Sequence, residues 1–253
     1  MRAVSGRGAP PQSSLRNGQT WDVLVLQEQS AVPMWFNAAK DGPYDYTRYQ
    51  NDVFFTTVSA KSMATIIDAV TPQPLQVVLH ETWGYWTVRT IDIGKAHEGT
   101  LTDQGNPDLA SAATYEGMQA RVSAGYSKYS DLMAKRGTPV VVAPCGGAFA
   151  AVNNDTKAGK AVVPFKELYY GTDPSNPDQK HPSKKGHYLA ALTLANTMTQ
   201  SCLQGPQFYV PDSQPYDDSN TALGMLSFPT AQQDYLQALA CSVTRSQAAV
   251  ASG

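Results

Sequence analysis

At 253 residues, 42% of them hydrophobic, the chain can bury a real core, as one large domain or as one domain with long insertions. Nineteen Lys and Arg against 21 Asp and Glu give a net charge of −2, and no basic run exceeds a pair, which argues against nucleic acid or an acidic membrane surface as partner. No apolar run approaches the roughly 20 residues needed to span a bilayer. The opening "MRAVSGRGAPPQSSLRNG" has no apolar stretch of the kind a secretory signal carries, and no recognisable strand or helix.

Residues 1–20 therefore read as an irregular N-terminal segment. The first strand is "DVLVL" (22–26), a nearly continuous apolar run of the kind a parallel strand covered on both faces requires. In "YQNDVFFTTVSAKSMATIIDAV", Val53, Met63, Ile66, Ile67 and Val70 recur at helical spacing, and Pro72 follows the stop. "LQVVLH" (75–80) is a second strand. A second helix runs from Thr114 to Lys135, where Tyr115, Met118, Val122, Tyr126, Tyr129 and Met133 repeat at three and four. "PVVVA" (139–143) is the third strand. Ser183 is a good N-cap for a helix carrying Tyr188, Leu189 and Leu192, and "TAQQDYLQALACSV" predicts a last helix.

This β-α-β-α-β-α-α order predicts an α/β fold with a parallel sheet, covering residues 21–245, with 246–253 as a flexible tail. Two polar stretches, 87–112 and 153–178, are too long for ordinary connectors. Both follow the C-terminal ends of strands, where open α/β sheets build their sites. None of the three cysteines lies in a C-x-x-C spacing. Cys202 and Cys241 either pair in an oxidising compartment or join the third as buried thiols.

The strongest chemical feature is Asp178-Gln179-Lys180-His181. A serine hydrolase needs an imidazole to take the nucleophile's proton, and a carboxylate to fix its tautomer and stabilise the imidazolium. Asp178 and His181 sit close enough on one turn to meet that need, and Pro182-Ser183 then turn the chain into a helix. D-x-x-H also arises by chance, as a surface Asp and His in a polar loop. A second feature is the abrupt end of the first strand in Gln27-Glu28-Gln29-Ser30. Amides there face the crevice and can donate hydrogen bonds to an oxyanion, unless they only satisfy loop backbone groups. The third is "HETWGYW" (80–86), whose aromatic rings fit either a sugar or acyl site or plain loop anchoring, with Trp83 favouring the anchor. His80, Glu81 and the distant His97 lack the spacing of a metal site. "APCGGAF" (143–149) closes the third strand with glycines that permit a tight turn and a close backbone approach.

Taken in order, these segments resemble the SGNH (GDSL-type) hydrolases. They look most like a branch carrying V-L-Q-E-Q-S, T-W-G, A-P-x-G-x-A-F and D-x-x-H-P-S-x-x-G-x-Y-L-A-A, found here at Val25–Ser30, Thr82–Gly84, Ala143–Phe149 and Asp178–Ala191. The likeness runs from Trp21 to Val243. It implies a flavodoxin-like three-layer sandwich, the SGNH hydrolase fold, with about five parallel strands. It also implies ester hydrolysis through a serine, with His181 as general base and Asp178 as its orienting carboxylate. Gln27 or Gln29 would fall at the family's third block, whose Asn helps form the oxyanion hole. Ser30, Thr82 and Trp83 would complete the substrate side. No metal and no cofactor is implied. The expected partner is a small acyl ester, in particular an O-acetylated carbohydrate, the carbohydrate resting on fold analogy and the aromatic residues.

The resemblance puts the nucleophile in a first block, G-D-S or G-N-S, ahead of the part that matches Trp21. On this reading the chain starts after that block and lacks the first one or two strands, leaving "DVLVL" at an edge. Ser5, Ser13 and Ser14 have no apolar strand before them to form a nucleophile's turn, and Ser30 falls in the third block. The competing expectation is a non-catalytic binding module that keeps the crevice without the nucleophile. Export would follow only from a signal peptide upstream.

Overall fold

Three apolar runs become parallel strands, and a two-residue strand joins them. The structure, a computed structural model, describes residues 3–4, 20–28, 30, 33–37, 42–43, 60–70, 74, 76–86, 114–134, 140–170, 180–208 and 229–251. The chain divides into two compact units: Met1–Gly84 with Val88–Gly146, and Tyr85–Thr87 with Gly147–Gly253.

The first unit holds the sheet. Strands β1 (Ala3–Val4), β2 (Val23–Leu26), β5 (Gln76–His80) and β6 (Val140–Ala143) lie in the order β1-β2-β5-β6, all parallel. Every residue of β2 is buried, and Val77, Val78 and Leu79 are fully so, as continuous apolar runs require. Two-residue strands β3 (Phe36–Asn37) and β4 (Gly42–Pro43) form a separate antiparallel pair. Helix α1 (Ala60–Ala69) buries Met63 and Ile67, as its spacing predicts; Val53 lies outside the described residues. Helix α2 (Tyr115–Ala134) buries all six residues that marked it in the sequence. Thr114 caps it, its hydroxyl accepting from the Gly117 N–H at 3.1 Å.

The second unit is helical. It takes most of α3 (Cys145–Lys157), then a 3-10 turn at Phe165–Leu168, α4 (Lys184–Thr199), another 3-10 turn at Pro206–Phe208, and α5 (Thr230–Ala251). Phe149, Phe165 and Tyr169 form an edge-to-face aromatic cluster, with centroids 5.6 and 5.3 Å apart. Helices α4 and α5 pack together, and a disulfide joins Cys202 to Cys241 with Cα atoms 5.0 Å apart. Cys145 is buried and outside the disulfide.

The fold class is as expected, a mixed α/β fold with a parallel sheet flanked by helices. Three details differ from the sequence reading. Ala3–Val4, within the segment read as irregular, pair with Val23–Leu24, so β2 is not an edge strand. Two residues are too few to show an apolar run, and register against β2 defines this strand. "CGGAF", read as a turn, is the first turn of α3. Two glycines disfavour a helix by propensity, but a Cβ at Gly146 would lie 2.3 Å from the Thr82 carbonyl oxygen and 2.2 Å from Gln119 Nε2. Close packing selects glycine there at the expense of propensity. Finally, α5 runs on to Ala251, past position 246 where a flexible tail was expected. "SQAAVA" is rich in good helix formers, which extends the helix without any further apolar stripe.

Candidate functional site

In the first unit the candidate residues gather at the C-terminal ends of β2 and β5. Leu26 pairs with Leu79, so the next residues, Gln27 and His80, emerge side by side. Their side chains meet: His80 Nδ1 lies 3.0 Å from Gln27 Oε1, an arrangement in which the imidazole N–H donates to the amide oxygen. Trp83 stands edge-on to His80, with ring centroids 6.2 Å apart.

The next residue, Glu28, is held by its backbone. The Tyr126 hydroxyl accepts from the Glu28 N–H and donates to the Glu28 carbonyl, each at 3.0 Å. Tyr126 is fully buried, and that burial pushes its phenol far up, so it remains a proton donor. Ser30 is buried, and Gln29 lies outside the described residues.

Beyond β5 the chain is anchored to α2 through a buried polar cluster. The Glu81 carboxylate accepts from Gln119 Nε2 at 3.2 Å and from Ser123 Oγ. Gln119 Oε1 in turn accepts from the Gly84 N–H at 2.7 Å. Thr82 and Trp83 are thereby buried in a segment pinned at both ends. Burial, reinforced by the Glu81 charge, pushes the Cys145 thiol and the Tyr115 phenol well up. Cys145 is thereby held as the thiol.

Gln119 and Ser123 were not singled out by sequence reasoning, and Glu81 was weighed only as a metal ligand. The signal was there on α2, where positions 119, 123 and 126 share one face. Tyr126 was counted for its ring, and the hydroxyl that performs the anchoring leaves no trace in an apolar period.

In the second unit, His181 is exposed at the end of a tightly held turn. Its carbonyl accepts from the Tyr170 N–H at 2.8 Å, the Ser183 N–H donates to the Leu168 carbonyl at 2.8 Å, and Tyr169 and Pro182 form a β-bridge. Ser183 Oγ donates to the Glu167 carbonyl at 2.5 Å and accepts from the Gly186 N–H at 3.3 Å, capping α4. Lys185 Nζ pairs with Glu167 at 2.5 Å. A Cβ on Gly186 would come within 2.2 Å of the Leu168 carbonyl oxygen, so the glycine lets helix and turn touch. Lys180 Nζ lies 5.3 Å from the centroid of the Tyr85 ring, which fixes the residue before His181. Burial first, and the His181 charge second, lower the His187 pKa. Asp178 lies outside the described residues.

In the first unit the structure brings Gln27, Thr82 and Trp83 to one rim of the sheet and adds His80; in the second it places His181 on a hydrogen-bonded turn. Ser5, Ser13, Ser14 and His97 are outside the described residues, although β1 now directly precedes Ser5. Among the described residues, no three His, Cys, Asp or Glu side chains group as a metal site would need, and no described helix is long and apolar enough to cross a membrane.

No family model matches the chain. No curated protein matches it either. Among solved structures it is similar to a DUF4886 family protein from Bacteroides uniformis, with 15% identity and a TM-score of 0.53 over 91% of this chain. The chain spans 64% of the length of that protein. The likeness is one of fold. A proposed SGNH hydrolase from Slackia heliotrinireducens aligns at 22% identity over 74% of this chain and 70% of its own, with a TM-score of 0.39, too distant to establish a shared fold.

Proposed function

We propose that the chain is an ester hydrolase of SGNH type, with His181 and Asp178 as its base and orienting carboxylate, acting on small acyl esters with O-acetylated carbohydrate as the substrate class. The observation that carries this reading is the His181 turn. An exposed imidazole sits on a backbone fixed by three hydrogen bonds and a capped helix, and Asp178 is three residues before it. Such fixing is what a general base needs, because its rate contribution depends on a held geometry.

In the proposed mechanism a serine hydroxyl attacks the ester carbonyl and passes its proton to His181, while Asp178 orients the ring and stabilises the imidazolium. The tetrahedral oxyanion is met by amide donors at Gln27 or Gln29. Collapse expels the alcohol, which takes the proton back from His181. Water then cleaves the acyl-enzyme with His181 again as base. The motif order places the serine in sequence ahead of Trp21. Because β1 precedes Ser5, the argument that no strand introduces it no longer holds, and Ser5 is the first serine to test within this chain.

The test is hydrolysis of p-nitrophenyl acetate by this chain and by a form extended with the sequence encoded upstream, each beside its His181→Ala and Ser5→Ala variants. Turnover in either form that His181→Ala abolishes supports the reading. Folded protein in both forms that is inert on this ester and on a panel of acetylated sugars favours a non-catalytic binding module.

A further inference from the structure

The hydrogen bond between His80 and Gln27 has a direction. A carboxamide offers an acceptor at one end and two donors at the other. The acceptor end, Oε1, is 3.0 Å from His80 Nδ1, so the ring N–H points at it and the amide NH2 is turned away from the ring. Both residues are at the C-terminal ends of adjacent parallel strands, and Gln27 is exposed while His80 is half-buried. Ligands of open α/β sheets bind in the crevice outside those strand ends. Without a partner on its oxygen, a surface glutamine samples both amide orientations and several rotamers, and presents a donor only part of the time. Trp83, edge-on to His80, further limits how the imidazole can turn.

We propose that His80 is a positioning residue: it holds Gln27 by its amide oxygen so that the amide NH2 serves as a fixed donor to a developing oxyanion at the sheet rim. This deepens the hydrolase reading and rests on it for the oxygen that is served. It also singles out Gln27, because the register that pairs Leu26 with Leu79 brings Gln27 to His80. The bond further fixes the tautomer, since the nitrogen facing Gln27 must carry the hydrogen.

Two experiments separate this proposal from the hydrolase reading. The first needs no activity: 15N NMR of the histidine rings and of the Gln27 side-chain amide in the full chain. The expected result is His80 protonated at Nδ1 in its neutral form, with that preference lost in Gln27→Leu, an exposed substitution that leaves the fold in place. Protonation of His80 at Nε2 alone, or a ring insensitive to Gln27→Leu, overturns the proposal. The second uses whichever form turns over ester. His80→Leu should lower kcat on the order of 10²-fold, as removal of one oxyanion donor does, with KM little changed. Gln27→Leu should do the same, and the double variant should lose no more than either. His80→Asn, whose amide nitrogen sits where Nδ1 does, should rescue most of the loss seen in His80→Leu. An unchanged kcat in His80→Leu overturns the proposal and leaves the hydrolase standing. A wild type inert in every form is a failure of the hydrolase reading, and the ring tautomer then still decides whether His80 holds Gln27.

Discussion

The Tyr126 hydroxyl closes a two-bond clamp on the backbone of Glu28, accepting from its N–H and donating to its carbonyl, each at 3.0 Å. One side chain in the middle of α2 thus fixes where the chain goes after β2, next to Gln27 and two residues before Ser30. Removing that hydroxyl takes both bonds away at once. Tyr126→Phe should therefore destabilise the protein by about 1–3 kcal/mol in urea unfolding, the scale of losing two part-buried hydrogen bonds. It should also lower any esterase kcat more than it raises KM, because the strand end carrying Gln27 is loosened.

Gly186 should not accept even one methyl group. Its Cβ would fall 2.2 Å from the Leu168 carbonyl oxygen and 3.0 Å from the Phe149 ring. Gly186→Ala would gain helix propensity at an exposed site, but here the predicted outcome is a loss of about 1–3 kcal/mol from overpacking. The second place to look is the position of His181, because the same carbonyl pairs with the Ser183 N–H. Thermal unfolding of the variant checks the first effect, and hydrogen exchange at Ser183 checks the second.

The Cys202–Cys241 bridge ties the end of α4 to α5 across 39 residues of sequence. Closing a loop of that length should stabilise the protein by about 2–4 kcal/mol. Reduction, or the Cys202→Ser and Cys241→Ser pair, should lower Tm, with no effect if the thiols never pair. Cys145, buried and kept as a thiol, should label only after unfolding.

His187 predicts a modest pH dependence. Its folded pKa is lowered from 6.5, by burial first and by His181 second. The unfolded chain therefore binds this proton more readily than the folded one, and stability rises with pH in the window where only the unfolded form is protonated. The associated stability is present above pH 6.5 and declines as pH falls through the lower folded pKa. The ring retains solvent access, so the effect is small. His187→Gln should flatten the curve of Tm between pH 7 and 5, and an unchanged curve would contradict the assignment.

The parts of the fold that were legible in the sequence are those a period or a continuous run can carry. "VLVL", "QVVLH" and "VVVA" form the sheet because nothing but burial on both faces suits such runs. Ser183 announces α4 because its hydroxyl has a local task that any helix start offers. Helix α3 was hidden by Gly146, whose helical state depends on contacts with Thr82 and Gln119, far away in sequence. Strand β1 was hidden by its length, and the His80–Gln27 contact by the fact that only strand register brings the two residues together. The polar network of Glu81, Gln119 and Ser123 is likewise a tertiary fact: each residue alone reads as an ordinary polar side chain. The turn at His181 was legible through Pro182 and Ser183 ahead of a capped helix.

The measurement that tests the central claim most directly is the initial rate of p-nitrophenyl acetate hydrolysis with and without His181, in this chain and in its upstream-extended form. The account predicts saturable turnover in at least one form and a loss on the order of 10⁴-fold or more in His181→Ala, the scale of removing a triad histidine. Turnover that survives His181→Ala within a few-fold, in protein whose Tm is unchanged, would contradict it.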